Sequence, residues 1–150
     1  MTKRMIVAML ALAGIFVALY LLLYKLGMIG HLSCSIGSCE TVNTSKWAKF
    51  LGFPVAAWGV AFYVGMFSLA IVSTGERYDD SIGMSRLLAF VAGTGVLFSA
   101  WLTYLELFRI HAICQWCVIS AIIVTVIFVV TLVDLRSQHS ENPHSFLSQE

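Results

Sequence analysis

The chain has 150 residues, 59% of them hydrophobic and 11% charged, with a mean hydropathy of +0.89. Soluble domains run at about half apolar and about a quarter charged, so this composition excludes an ordinary soluble domain and indicates a membrane protein. The formal net charge of +1, without any block of like charges, gives no reason to expect nucleic acid or an acidic partner.

In chain order, four uncharged stretches are long enough to cross a bilayer, which takes about 20 residues of helix: Met5 to Tyr24, Phe53 to Thr74, Leu87 to Leu105 and Ala112 to Val133. They predict an all-α membrane protein, a bundle of four transmembrane helices. The first stretch follows Lys3 and Arg4 as a secretory signal would, but its apolar run is too long and no small-x-small cleavage site follows, so it reads as a retained helix. The second starts at Phe53-Pro54, with proline at a favoured first helical position. It carries Ala57, Ala61 and Gly65 at four-residue spacing, a seam where helices can approach closely. Ala89 and Gly93 form a similar pair on the third. Residues 1–135 read as one transmembrane redox domain. Residues 136–150, rich in Ser, Asn, Gln and His, read as a flexible cytoplasmic tail, whose His139 and His144 read as solvated rather than as metal ligands.

Four successive spans put both termini and the second connection on one side, and the first and third connections on the other. All four cysteines lie in or beside the latter two connections: Cys34 and Cys39 in the first, Cys114 and Cys117 at the mouth of the last span. Both pairs therefore face one compartment. Lys3, Arg4, Arg77, Arg86 and Arg136 on the terminal side, against Lys25, Lys46, Lys49 and Arg109 on the other, favour cytoplasmic termini. The cysteines then face an oxidising exterior such as a periplasm, where disulfides persist.

Cys114-Gln115-Trp116-Cys117 is a C-x-x-C at a helix start, where the helix dipole stabilises a thiolate, the attacking species in disulfide exchange. The Ser/Gly segment between Cys34 and Cys39 can close a small loop and lets Cys34 swing outward. Thr44 or Ser45 is a plausible cap for a short interfacial half-helix with Trp47, Phe50 and Leu51 on one face, which holds Cys39 near the bundle. One exposed and one membrane-level pair suggest a relay. A soluble dithiol reduces Cys34–Cys39, Cys39 attacks Cys114, and Cys117 passes two electrons to a lipid-soluble acceptor. A partner as oxidising as DsbA requires a still more oxidising acceptor, for which a quinone is the natural choice. His111, three residues before Cys114, is a candidate for stabilising a thiolate or donating to a quinone carbonyl; Trp58, Phe62, Phe98 and Trp116 are candidate pocket aromatics. Glu106 and Arg109 read as an i, i+3 ion pair.

The combination Cys34…Cys39-x5-Ser45-Lys46-Trp47, Gly52-Phe53-Pro54-Val55…Gly59…Tyr63 and Cys114-x-x-Cys117, over roughly residues 5 to 135, resembles the vitamin K epoxide reductase family, in particular its bacterial disulfide-forming members. The resemblance implies a four-helix bundle around a quinone, ubiquinone or menaquinone, in the bacterial inner membrane, and an enzyme exchanging disulfides with a thioredoxin-like protein. It implies that Cys34 is the outer shuttle cysteine, Cys39 the attacker, Cys114 its target and Cys117 the quinone-facing thiolate, with Ser45 a loop serine beside the site. No thioredoxin-like domain follows the fourth helix, so the expected partner is a separate periplasmic DsbA-type protein. The aromatic hydroxyl that animal members carry four residues after the last cysteine is Ala121 here, which argues against an epoxide substrate. DsbB-type disulfide generators place their C-x-x-C after helix one, the reverse of this order. The alternatives are a membrane subunit in which the four cysteines form structural disulfides or bind zinc, and a non-enzymatic assembly subunit or small transporter.

Overall fold

In hydrocarbon, backbone N–H and C=O groups must be satisfied within the segment, so each long apolar run becomes a helix. A computed structural model describes residues 2–78 and 81–141. Four long helices appear: α1 (Thr2–Lys25), α3 (Val55–Ser73), α4 (Ile82–Leu105) and α5 (Gln115–Glu141). All four are long and apolar enough to span a membrane, and the chain is an all-α four-helix membrane bundle. α5 extends past residue 135 to Glu141, so the start of the expected tail is helical and carries His139; His144 and the rest lie outside the described residues.

α1 packs along α3 and α5, and α5 along α4. Gly14 of α1 admits the Tyr63 ring, which a Cβ there would meet at 2.4 Å, and Gly59 of α3 approaches Ala18. The core is Val7, Ala8, Ala11 and Ala18 of α1 against Tyr63, Met66 and Ala70 of α3, with Leu88, Ala92 and Ile127. This corrects the expected α3 seam. Ala61 and Gly65 are exposed, and the face carrying Gly59, Tyr63, Met66 and Ala70 turns inward instead, because four-residue spacing does not choose among stripes on a helix apolar all round. The α4 pair behaves as expected: Ala89 is buried and Gly93 lies against the Phe128 ring of α5.

The first connection also departs from expectation. Its short helix, α2 (Cys39–Thr44), begins at the second loop cysteine, and Ser45 is extended at its end. A single 3-10 turn follows at Lys46–Ala48, then a two-stranded hairpin, β1 (Lys49–Phe50) with β2 (Phe53–Pro54), in register Phe50↔Phe53. Leu51 and Gly52 form its two-residue turn with φ of 53° and 84°, the positive values such a hairpin requires. Trp47, Phe50 and Leu51 thus share no helical face.

At the opposite end, Arg4 ties α1, α3, α4 and α5 together. It donates to the Ser73 and Tyr78 carbonyls and to Ser85 Oγ at 3.0 Å, and pairs with Asp134 at 3.4 Å. Its side chain is 2% exposed. Among the described residues, the start of α1, the end of α3, the start of α4 and the later part of α5 therefore share one end, as the count of spans requires. Removing one partner of a buried ion pair strands the other. We expect Arg4→Ala to lower the thermal unfolding midpoint in detergent, at a cost of about 3–5 kcal/mol. Arg4→Lys should recover only part of this, since an ammonium lacks the planar fork.

Candidate active site

α5 opens on the C-x-x-C. Val118 N–H bonds the Cys114 carbonyl at 3.0 Å, which makes Cys114 the residue that caps the helix, with Cys117 inside its first turn. The Cys114 N–H, one of the donors a helix start leaves unpaired, is taken by Glu106 Oε2 at 3.2 Å. Glu106 heads a π-helical turn, Glu106–Ile110, that ends at His111 in a left-handed conformation with φ of 56°.

The other pair is brought onto this helix start by backbone contact. Cys34 and Cys39 are joined in a disulfide, while Cys114 and Cys117 are free thiols. Inside the disulfide loop, Gly37 pairs with Cys114 as an antiparallel bridge, and Ser38 N–H donates to the Ile113 carbonyl at 2.8 Å. Gly37 has φ of +85°, and a Cβ there would lie 2.1 Å from the Ile113 oxygen, so only glycine fits. Gln115, between the two C-x-x-C cysteines, accepts from the N–H groups of Ser35 and Ile36 at 2.9 and 3.2 Å. The result is one cluster with Cys39 and Cys114 buried and Cys34 and Cys117 packed against it. Cys34 stays half-buried, and the disulfide withdraws two of the four sulfurs that the zinc reading requires.

Beside Cys117 lies a cavity of about 350 Å³ between α1, α3, α4, α5 and the first connection, within the size range of small-molecule sites. Trp58, Phe62 and Phe98 line it as expected, together with Trp47, Tyr63, Asn43 and Glu106. Gly95 opens its wall, since a Cβ there would meet Phe62 at 2.4 Å. Phe50 closes edge-on against Trp58, Phe98 and Trp101, with centroids at 6.2, 5.9 and 5.8 Å.

Three candidates fall outside this cavity. The Ser45 hydroxyl donates to the Val42 carbonyl at 2.7 Å and finishes α2. The Trp116 indole donates to the Ser33 carbonyl at 2.8 Å and stacks edge-on against Tyr20, bracing the outer loop. His111 is an exposed turn residue. The expected Glu106–Arg109 pair is replaced: Glu106 turns to the cysteines, and the Arg109 guanidinium lies over the Trp47 ring at 6.0 Å. Asn43, whose Nδ2 donates to the Cys39 carbonyl at 2.9 Å, carried no signal in the sequence beyond its loop. Glu106 did, as a lone carboxyl in an apolar run eight residues before Cys114.

The family model described as vitamin K epoxide reductase family matches residues 5–132. The chain belongs to the vitamin K epoxide reductase family. It is accordingly a multi-pass membrane oxidoreductase that acts on disulfides, in a family that is quinone-linked and works with thioredoxin-like proteins. In this member the Cys117 thiol's hydrogen bond holds the Cys114 pKa below the ordinary thiol range, against burial, which raises it.

Two outcomes follow. Thiolate absorbance titrated in Cys117→Ala and Cys117→Ser, where Cys114 is the lone free thiol, should give the lower midpoint for serine, which keeps the hydrogen-bond donor; Cys114 thiolate then appears at lower pH. In Gly37→Ala, left-handed strain of about 1–2 kcal/mol lifts the loop, and hydrogen exchange at the Ser38 amide should quicken about tenfold or more.

Proposed function

We propose that this protein is a quinone-dependent, disulfide-forming enzyme of a bacterial inner membrane, with its cysteines on the periplasmic side and a separate DsbA-type protein as electron donor. The supporting observation is the loop disulfide seated by backbone contact on a free C-x-x-C whose second cysteine borders an aromatic cavity.

The donor dithiol reduces Cys34–Cys39, attacking at the more exposed Cys34. Cys39, released as a thiolate at the head of α2, attacks Cys114 in the oxidised C-x-x-C, and Cys117 leaves as a thiolate. Cys34 then attacks Cys39, restoring the loop disulfide and freeing Cys114. A closed loop pair with two free C-x-x-C thiols is the state this exchange arrives at.

The cavity's chemistry fits a quinone ring. Trp58, Phe62 and Phe98 offer flat apolar faces, Asn43 lies among the polar lining, and Cys117 supplies a thiol at one end. A bound ubiquinone or menaquinone accepts two electrons and two protons. Residues 1–135 act as the redox unit.

The test is quinone reduction by the detergent-purified protein, followed by quinone absorbance with a reduced DsbA-type protein as donor. Turnover in the wild type, abolished in both Cys39→Ala and Cys117→Ala, is the expected result. Folded wild type with free thiols that leaves the quinone oxidised overturns the reading.

A further inference from the structure

Oxidising two thiols with a quinone moves two protons as well as two electrons, and the cavity is lined mostly by apolar side chains. Among the described residues that line it, Glu106 is the one carboxyl. It is 5% exposed, in an environment where an ionisable side chain is costly and marks a proton or substrate path. Oε2 is held by the Cys114 N–H at 3.2 Å, and the side chain lines the same cavity as Cys117. One side chain thus joins the head of the C-x-x-C helix to the cavity that Cys117 borders. The cavity's other acidic hydroxyl, Tyr63, is committed to Ser120, with its oxygen 2.9 Å from the carbonyl and 2.8 Å from the hydroxyl.

We propose that Glu106 is the proton carrier between the C-x-x-C thiols and the acceptor in the cavity, an assignment that rests on the quinone reading above. Cys117 gives its proton to the Glu106 carboxylate as its sulfur becomes the electron donor, and the carboxylic acid passes that proton to one quinone oxygen. Cys114 sends its proton along the same route to the other oxygen. The S–S bond closes as the electron pair leaves. Two thiols and a quinone become one disulfide and one quinol, and Glu106 ends as the carboxylate it began as.

The carboxyl also caps α5, and the test must separate the two roles. Glu106→Gln keeps an oxygen for the Cys114 N–H but carries no proton; Glu106→Asp keeps the acid with a shorter reach. Pre-reduced protein is mixed with a short-chain soluble quinone and followed through one turnover. The expected result is oxidation of the wild type, a rate about 10²-fold lower in Glu106→Gln, partial recovery in Glu106→Asp, and no change in unfolding midpoint or in reduction of the loop disulfide by the donor. A second readout needs no quinone. In a Cys114→Ala background, where Cys117 is the lone free thiol, the infrared S–H stretch should move to higher frequency when Glu106 becomes Gln, a weaker acceptor. An unreactive wild type overturns the quinone reading and the relay with it. A reactive wild type with an equally fast Gln variant, or an S–H band that stays in place, overturns the relay alone.

Discussion

The approach of Gly37 to the Ile113 carbonyl is the contact on which the redox site depends. It brings a loop backbone against the chain just ahead of α5, closer than any side chain allows. Once there, Ser38 N–H pairs with Ile113, Gln115 gathers the Ser35 and Ile36 amides, and Trp116 takes the Ser33 carbonyl. Each bond uses a backbone group that would otherwise face water or lipid alone. The disulfide closes the loop over a separation of five residues, so the segment loses little further freedom on docking. Cys39 is buried beside Cys114 as a consequence, while Cys34 on the far side of the loop keeps contact with solvent.

The two largest polar clusters among the described residues lie at the two ends of the bundle, and the ends are built differently. At one, Arg4 satisfies carbonyls and hydroxyls from the ends of several helices, pairs with Asp134 and fixes their mutual register. It is a closed node, with no space large enough for a ligand beside it. At the other, the polar groups line a cavity: Asn43, Glu106 and Cys117 face a space walled by aromatic rings. α3 and α4 pack together less closely than the other neighbouring helices, and residues of both line the cavity. The same bundle is therefore tightly packed around Arg4 and open beside Cys117.

The number of spans, and hence the shared side of both cysteine pairs, was legible in the sequence, because a run of about 20 apolar residues has few alternatives to a spanning helix and parity then follows from counting. The C-x-x-C at the head of the last helix was legible for the same local reason, as were three of the cavity's aromatic rings, Trp58, Phe62 and Phe98. What only the tertiary structure decided was which faces meet. Uniformly apolar helices carry no moment to orient them, so the inward stripe of α3 runs through Gly59, Tyr63 and Met66 rather than through Ala61 and Gly65. A local helical pattern at Trp47, Phe50 and Leu51 yielded to the positive φ of Leu51 and Gly52, which turn the chain into a hairpin. Glu106 looked like half of a surface ion pair with Arg109. Only the fold of the Glu106–Ile110 turn, which carries the chain back so that Cys114 N–H meets the carboxylate, turns it toward the thiols.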